Sequence, residues 1–228
     1  MRGRCTLLGI GVVVSIAGSA SGATVYVISY LSEADSPFVG LAASYSHLEN
    51  FEDGTLNTPG VAGTGFNQVA PPGPQTDSVD GDDGAIDGFG TAGRSLYITS
   101  HEVEFTFDAG VLGSLPTYAG IAWTDVGVTT PGTPTGFGAV EVRFYDSADQ
   151  LIGEFLSLTL GDGNVNGGTA EDRFIGYSGP SGVARMTVTM DNSTDWEVDH
   201  LQYGYVPGPG GAAMLGIASL AMLRRRVR

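Results

Sequence analysis

The chain has 228 residues, 36 of them glycine and one cysteine, with a formal net charge of −15. All ten basic residues are arginine and six lie at the extremes, so the stretch Thr24–Val206 sets four arginines against twenty-five acids and carries −21. Such a field repels phosphate backbones and argues against a nucleic-acid partner. With Cys5 as the lone thiol, disulfides, zinc–thiolate centres and cysteine nucleophiles are excluded from everything beyond residue 23.

Residues 1–23 read as a signal peptide. Arg2 and Arg4 form a positive start, Leu7–Ala17 a short apolar core, and Ser19–Ala23 a small-residue exit. Ser21 and Ala23 occupy the −3 and −1 positions of a cut between Ala23 and Thr24. The implied partners are the secretion machinery and signal peptidase, and the implied destination is outside the cytoplasm.

Residues 24–205 form one domain, long enough to bury a full core. Glycine at about 16% of the chain, against a usual ~7%, points to many tight turns between strands. Early in this stretch Phe51-Glu52-Asp53-Gly54 places two acids at a turn. The longest connection, Val69–Arg94, holds Pro71-Pro72-Gly73-Pro74 and then Asp77, Asp80, Asp82, Asp83 and Asp87. This is a second candidate metal loop, although Gly84 and Thr91 stand where an EF-hand needs its fifth and twelfth ligands.

Alternation with period two then takes over. Val103, Phe105 and Phe107 share one face against Glu102 and Glu104. Val140, Val142 and Phe144 alternate with Glu141, Arg143 and Tyr145, and Leu156, Leu158 and Leu160 with Ser157 and Thr159. Ala184, Met186, Val188 and Met190 alternate with Arg185, Thr187 and Thr189. One apolar and one polar face per strand is the pattern of antiparallel sheets packed on a core. Trp123, inside Gly120–Asp125, reads as buried, and Gly127–Gly138 and Gly161–Thr169 read as further loops. In the last run Trp196 and Val198 share a face, whereas Leu201, Tyr203 and Tyr205 fall on the opposite phase, so a bulge is expected near Asp199-His200. The expected fold is all-β: a single antiparallel β-sandwich of jelly-roll type.

Two chemistries compete for this domain. Early and late strands of a jelly roll lie side by side, which would let Glu52, Asp53 and Asp199 converge on a calcium ion. Oxygen ligands without thiols make Ca2+ the natural cofactor. Alternatively Tyr97, Trp123, Tyr145, Tyr177, Trp196 and Tyr203 offer rings for stacking on sugars, against the competing expectation that strand aromatics belong to the core. Catalysis has no specific signature. His47, His101 and His200 accompany no Gly-x-Ser-x-Gly motif, no phosphate-binding glycine loop occurs, and any pair among twenty-five acids can be nominated as glycosidase carboxyls.

Residues 206–228 close the chain in three parts. Val206-Pro207-Gly208-Pro209-Gly210 breaks regular structure. Gly211–Leu223 is thirteen uncharged residues; as a helix it rises ~20 Å, short of a ~30 Å hydrocarbon core. Arg224, Arg225, Arg226 and Arg228 follow and belong on the cytoplasmic side. Pro207, Gly208, Pro209 and Gly210, the short apolar segment and the arginine cluster together resemble the bacterial PEP-CTERM sorting signal, in its variant Val-Pro-x-Pro-Gly form, with Gly208 where the common form has glutamate. The resemblance implies a membrane protease of the exosortase type as partner, transient anchoring by a short transmembrane helix, and release to the envelope or extracellular matrix. Tyr30–Phe38, Leu48–Leu56, Ala170–Phe174 and Trp196–Leu201 are similar to segments of the mostly uncharacterised β ectodomains found ahead of such tails. The resulting expectation is an exported structural or adhesive protein without enzymatic activity. The alternative is a carbohydrate-binding module on extracellular polysaccharide, and a glycoside-active enzyme is a third reading.

Overall fold

A computed structural model of the protein describes residues 22–73, 76–79, 93–124, 139–157, 160 and 172–208. The expected leader up to residue 21, residues 74–75, 80–92, 125–138, 158–159 and 161–171, and the tail from Pro209 onward lie outside the described residues.

Twelve strands are described. They are β1 (Thr24–Ser29), β2 (Tyr45–Glu49), β3 (Val61–Thr64), β4 (Gln68–Val69), β5 (Leu96–Ile98), β6 (Glu102–Phe107), β7 (Tyr118–Trp123), β8 (Val140–Tyr145), β9 (Leu151–Ser157), β10 (Arg173–Ser178), β11 (Arg185–Met190) and β12 (Trp196–Tyr205). One short helix, α1 (Ala109–Leu112), joins β6 to β7. Asp108 caps it by accepting the Gly110 N–H, and Gly113 ends it in the left-handed conformation.

All ladders are antiparallel. One sheet has the order β1-β10-β7-β12-β5-β4, with β2 also on β12, and the other β3-β6-β11-β8-β9. The alternating stripes read from sequence meet between them. Val103, Phe105, Phe107, Val140, Val142, Phe144, Met186, Val188 and Met190 from the second sheet pack against Leu96, Ile98, Ile121, Trp123, Ile175, Trp196 and Val198 from the first. Trp123 is fully buried as expected, its indole N–H directed at the Met190 sulfur.

One stripe is corrected. Leu156 is 54% exposed, because β9 is an edge strand whose phase is set by Phe155, opposite Val142, and by Gly153, against Tyr177. An edge strand bound on one side obeys its neighbour's register rather than its own leucines.

The outer faces differ. The second sheet is solvated and carries ion pairs, Arg143 with Glu141 (2.6 Å) and Glu154 (3.1 Å), and Arg185 with Glu104 (3.2 Å). The first sheet is roofed. The segment 30–43 crosses its outer face and buries Tyr30 and Phe38 with Tyr118, Ala122, Phe174 and Val79 in a second apolar cluster. Two facing glycines, Gly120 and Gly176, open a trough there: a Cβ on either would stand within 2.8 Å of the Phe174 ring. β7 is consequently buried along its whole length.

Register also fixes two poles. Thr24 lies opposite Ser178, Ser178 opposite Tyr118, and Tyr118 opposite Gly204. The first residue of β1 and the end of β12 thus share one pole. The ends of β1, β7 and β9 and the starts of β8, β10 and β12 lie toward the opposite one.

Candidate functional site

The concentration of polar chemistry in the described residues is under the roof, on the outward phase of β12. With Trp196 and Val198 turned into the core, period two turns Glu197 and Asp199 outward. There the segment 76–79 covers them, and they are 3% and 0% exposed. The Asp77 N–H donates to Glu197 Oε2 at 2.5 Å. Asp199 accepts from the Ser78 hydroxyl (3.1 Å) and the Val79 N–H (2.9 Å) through Oδ2, and from the His200 N–H (2.7 Å) through Oδ1. Thr124 completes the clasp by donating to the Asp77 carbonyl at 3.1 Å. Burial pushes the Glu197 carboxyl from 4.5 up to about 7, opposed in part by the Asp77 N–H.

The expected bulge is present one step further on. The β12–β7 register shifts between Asp199 and Gln202, and His200 takes a positive φ of 47°. This residue reverses the phase, so that Leu201 and Tyr203 return to the core. It also aims His200 Nδ1 at the Tyr30 hydroxyl, 2.9 Å away. Gln202 Nε2 donates to the same hydroxyl (2.6 Å) while its Oε1 accepts from Ser36 (2.5 Å), and the Ser36 oxygen accepts the Phe38 N–H (3.1 Å). In the Tyr30–His200 contact the imidazole tautomer sets which group donates, Nδ1 or the phenol. The chain Phe38–Ser36–Gln202–Tyr30–His200 thereby ties the roof to the sheet.

The residues nominated from sequence fall in different places. Asp199 is in the clasp, and Asp77, from the aspartate loop, supplies its backbone. Glu52 accepts the Arg94 N–H at 2.5 Å. Asp53 is spent locally: Oδ1 takes the Thr55 N–H (2.9 Å) and hydroxyl (2.8 Å), Oδ2 the Asn57 amide (2.5 Å), and these bonds lower its pKa. Among the described residues no group of three or more His, Cys, Asp or Glu side chains is placed to hold a metal ion; Glu52 and Asp53 accept from Arg94, Thr55 and Asn57, and Asp199 from Ser78, Val79 and His200. Asp80, Asp82, Asp83 and Asp87 lie outside the described residues.

The proposed sugar face loses most of its rings. Trp123, Tyr177, Trp196 and Tyr203 are at most 1% exposed, and Tyr145 carries the Arg185 guanidinium 3.7 Å from its ring centre. Ala23 and Thr24 stand at the head of β1, and Pro207 and Gly208 follow the end of β12, with Gly208 exposed. Pro209, Gly210, Arg224, Arg225, Arg226 and Arg228 lie outside the described residues.

Sequence reasoning missed Glu49. This carboxylate, 4% exposed, accepts the Phe51 N–H (3.0 Å) through Oε1. Through Oε2 it accepts the Asn57 N–H (2.9 Å), the Thr58 N–H (3.1 Å) and the Thr58 hydroxyl (3.2 Å). It thereby holds Phe51, fully buried at a positive φ of 57°, in a conformation that costs a bulky residue free energy. Nothing in the local pattern separates Glu49 from the surface acids beside it.

Chemically, the clasp holds two buried carboxyls: Glu197, raised to about 7 by burial, and Asp199, which accepts two backbone N–H groups and a hydroxyl. Comparison with known proteins adds little to this. No family model and no curated protein matches the chain. Among solved structures it is similar to the enzymatically active domain of tailspike protein 4 of bacteriophage CBA120, with 12% identity and a TM-score of 0.31, over 68% of this chain and 20% of that one. The chain therefore spans about a fifth of that protein's length, and so loose a likeness carries no argument about function.

Proposed function

We propose that the protein is an exported structural or adhesive component of the cell envelope or extracellular matrix, a jelly-roll β-sandwich held for a time by its C-terminal tail and then released by an exosortase-like protease. The observation that carries this reading is where the first and last described strands lie. β1 begins at Thr24, the first residue after the expected signal-peptidase cut, and β12 ends at Tyr205, two residues before Pro207. The sandwich is pinned up to that border, the Val206 N–H donating to Thr117 Oγ1 at 2.8 Å, and Gly208 beyond it is exposed. Cuts at both sites would spare every described strand and leave the sorting motif within reach of a membrane protease.

Mass spectrometry of the protein recovered from its native host tests this. The expected product starts at Thr24 and lacks the apolar segment and arginine cluster; an intact 228-residue chain in the cytosol overturns the reading. The clasp then serves the fold by fastening the roof. The alternative of a carbohydrate-binding module is decided by a glycan array: retention of a polysaccharide by the folded domain would replace the scaffold reading.

A further inference from the structure

The start of β1, the end of β12 and most of the exposed apolar side chains among the described residues gather at the same pole of the sandwich. Five large hydrophobic residues are substantially exposed among the described residues: Val39, Leu41, Val111, Leu151 and Leu156. Four of them belong to the pole of Thr24 and Tyr205. Val111 is on α1, between the end of β6 and the start of β7. Leu151 opens β9 opposite Tyr145, the last residue of β8. Val39 and Leu41 lie between Phe38, whose ring centre is 4.5 Å from that of Tyr118, and Ser44, whose N–H donates to the Tyr205 carbonyl at 2.8 Å. A shallow groove of ≈ 760 Å³ beside Gly60, Val61, Phe107, Val111, Leu115 and Ala184 opens at this pole as well. Leu156 alone sits toward the other end.

We infer that this pole rests on the outer leaflet of the bilayer while the tail is in place, with Val39, Leu41, Val111 and Leu151 as its apolar contacts. The inference builds on the anchored, exported state proposed above. Its occupant is fixed by the chain itself. Only residues 206–210 separate the end of β12 from the apolar segment that starts at Gly211, and five extended residues reach at most ~17 Å. The leader of the uncut precursor departs from the same pole, with Thr24 and Gly204 separated by two intervening strands, or about 15 Å. A sandwich tethered this closely presents that pole to the headgroups, and apolar side chains there insert where polar ones would stay hydrated. Asp108, Asp146 and Asp149 share the pole, with Arg185 paired to Asp149, so the surface that fits is zwitterionic rather than anionic.

Because Cys5 is the only cysteine, the full chain carrying Cys5→Ser accepts a single fluorophore at Val111→Cys or Leu151→Cys on the near pole, or at Asn192→Cys on the far one. Each form is reconstituted into phosphatidylcholine vesicles and floated on a density gradient, and quenching by nitroxide-headgroup lipid is measured. β12 has ten residues and spans about 33 Å, so the expected result is several-fold stronger quenching at positions 111 and 151 than at 192. Equal quenching in floated vesicles, or stronger quenching at 192, overturns the inference and leaves the anchored state intact. Failure of all forms to float removes the anchored state and the inference with it.

Discussion

At the scale of single residues, the molecule's acids divide into those that decorate and those that hold. Glu197 is raised to about 7 chiefly by burial. Between about pH 4.5 and pH 7 the folded protein keeps this proton while the unfolded chain has lost it. Stability therefore falls as pH rises through that window, by ~3 kcal/mol in all. Denaturant midpoints measured from pH 5 to pH 8 are expected to fall, and Glu197→Gln, which keeps an acceptor for the Asp77 N–H, is expected to flatten the slope. A slope unchanged by the substitution would remove Glu197 as its source. Asp53 makes the opposite case. Its two oxygens are engaged by Thr55 and Asn57, so Asp53→Asn is expected to leave any calorimetric calcium response unaltered. Loss of a calcium response on that substitution would restore the site composed of Glu52, Asp53 and Asp199.

At the scale of elements, β12 is the organising strand, with β7 along one side and β5 and β2 sharing the other. Near its end Gly204 lies between Tyr118 and Ser46. A Cβ there would stand 2.1 Å from the Tyr118 hydroxyl and 2.6 Å from the Tyr45 carbonyl oxygen, and the backbone oxygen cannot rotate away. Gly204→Ala is expected to cost about 2–3 kcal/mol through forced overpacking. Gly208→Ala, with nothing within 4 Å, is the control and should leave the denaturation midpoint in place; equal behaviour of the two would contradict the close approach. Much of this element scale was legible in advance. The stripes of β6, β8 and β11 and the phase break at Asp199-His200 follow from period two alone. The phase of β9 and the roof over the first sheet were not legible. Leu156 and Phe155 are equally apolar on paper, and which one faces inward depends on Val142 across the ladder. The roof depends on Gly120 and Gly176 being opposite one another, a pairing of strands 56 positions apart in sequence. For the clasp, sequence offered Asp199 but could not show that the Asp77 N–H returns to Glu197 and the Val79 N–H to Asp199.

At the scale of the whole molecule, the −21 carried by the domain acts against compactness. Raising NaCl from low concentration shortens the screening length from about 30 Å at 0.01 M to about 10 Å at 0.1 M. The melting temperature is expected to rise with it, and a flat or falling trend would show that the acids are already neutralised in pairs. The arrangement of the two ends has a consequence of another kind. Since Thr24 and Gly204 lie on one register row with two strands between them, a short glycine–serine bridge suffices to close the domain into a ring. Opening that ring at the turn around Asn192 would give a circular permutant with the same sandwich, whose new termini emerge from the opposite end. The direction in which the domain is displayed is thus set by where the chain is cut, independently of how it folds.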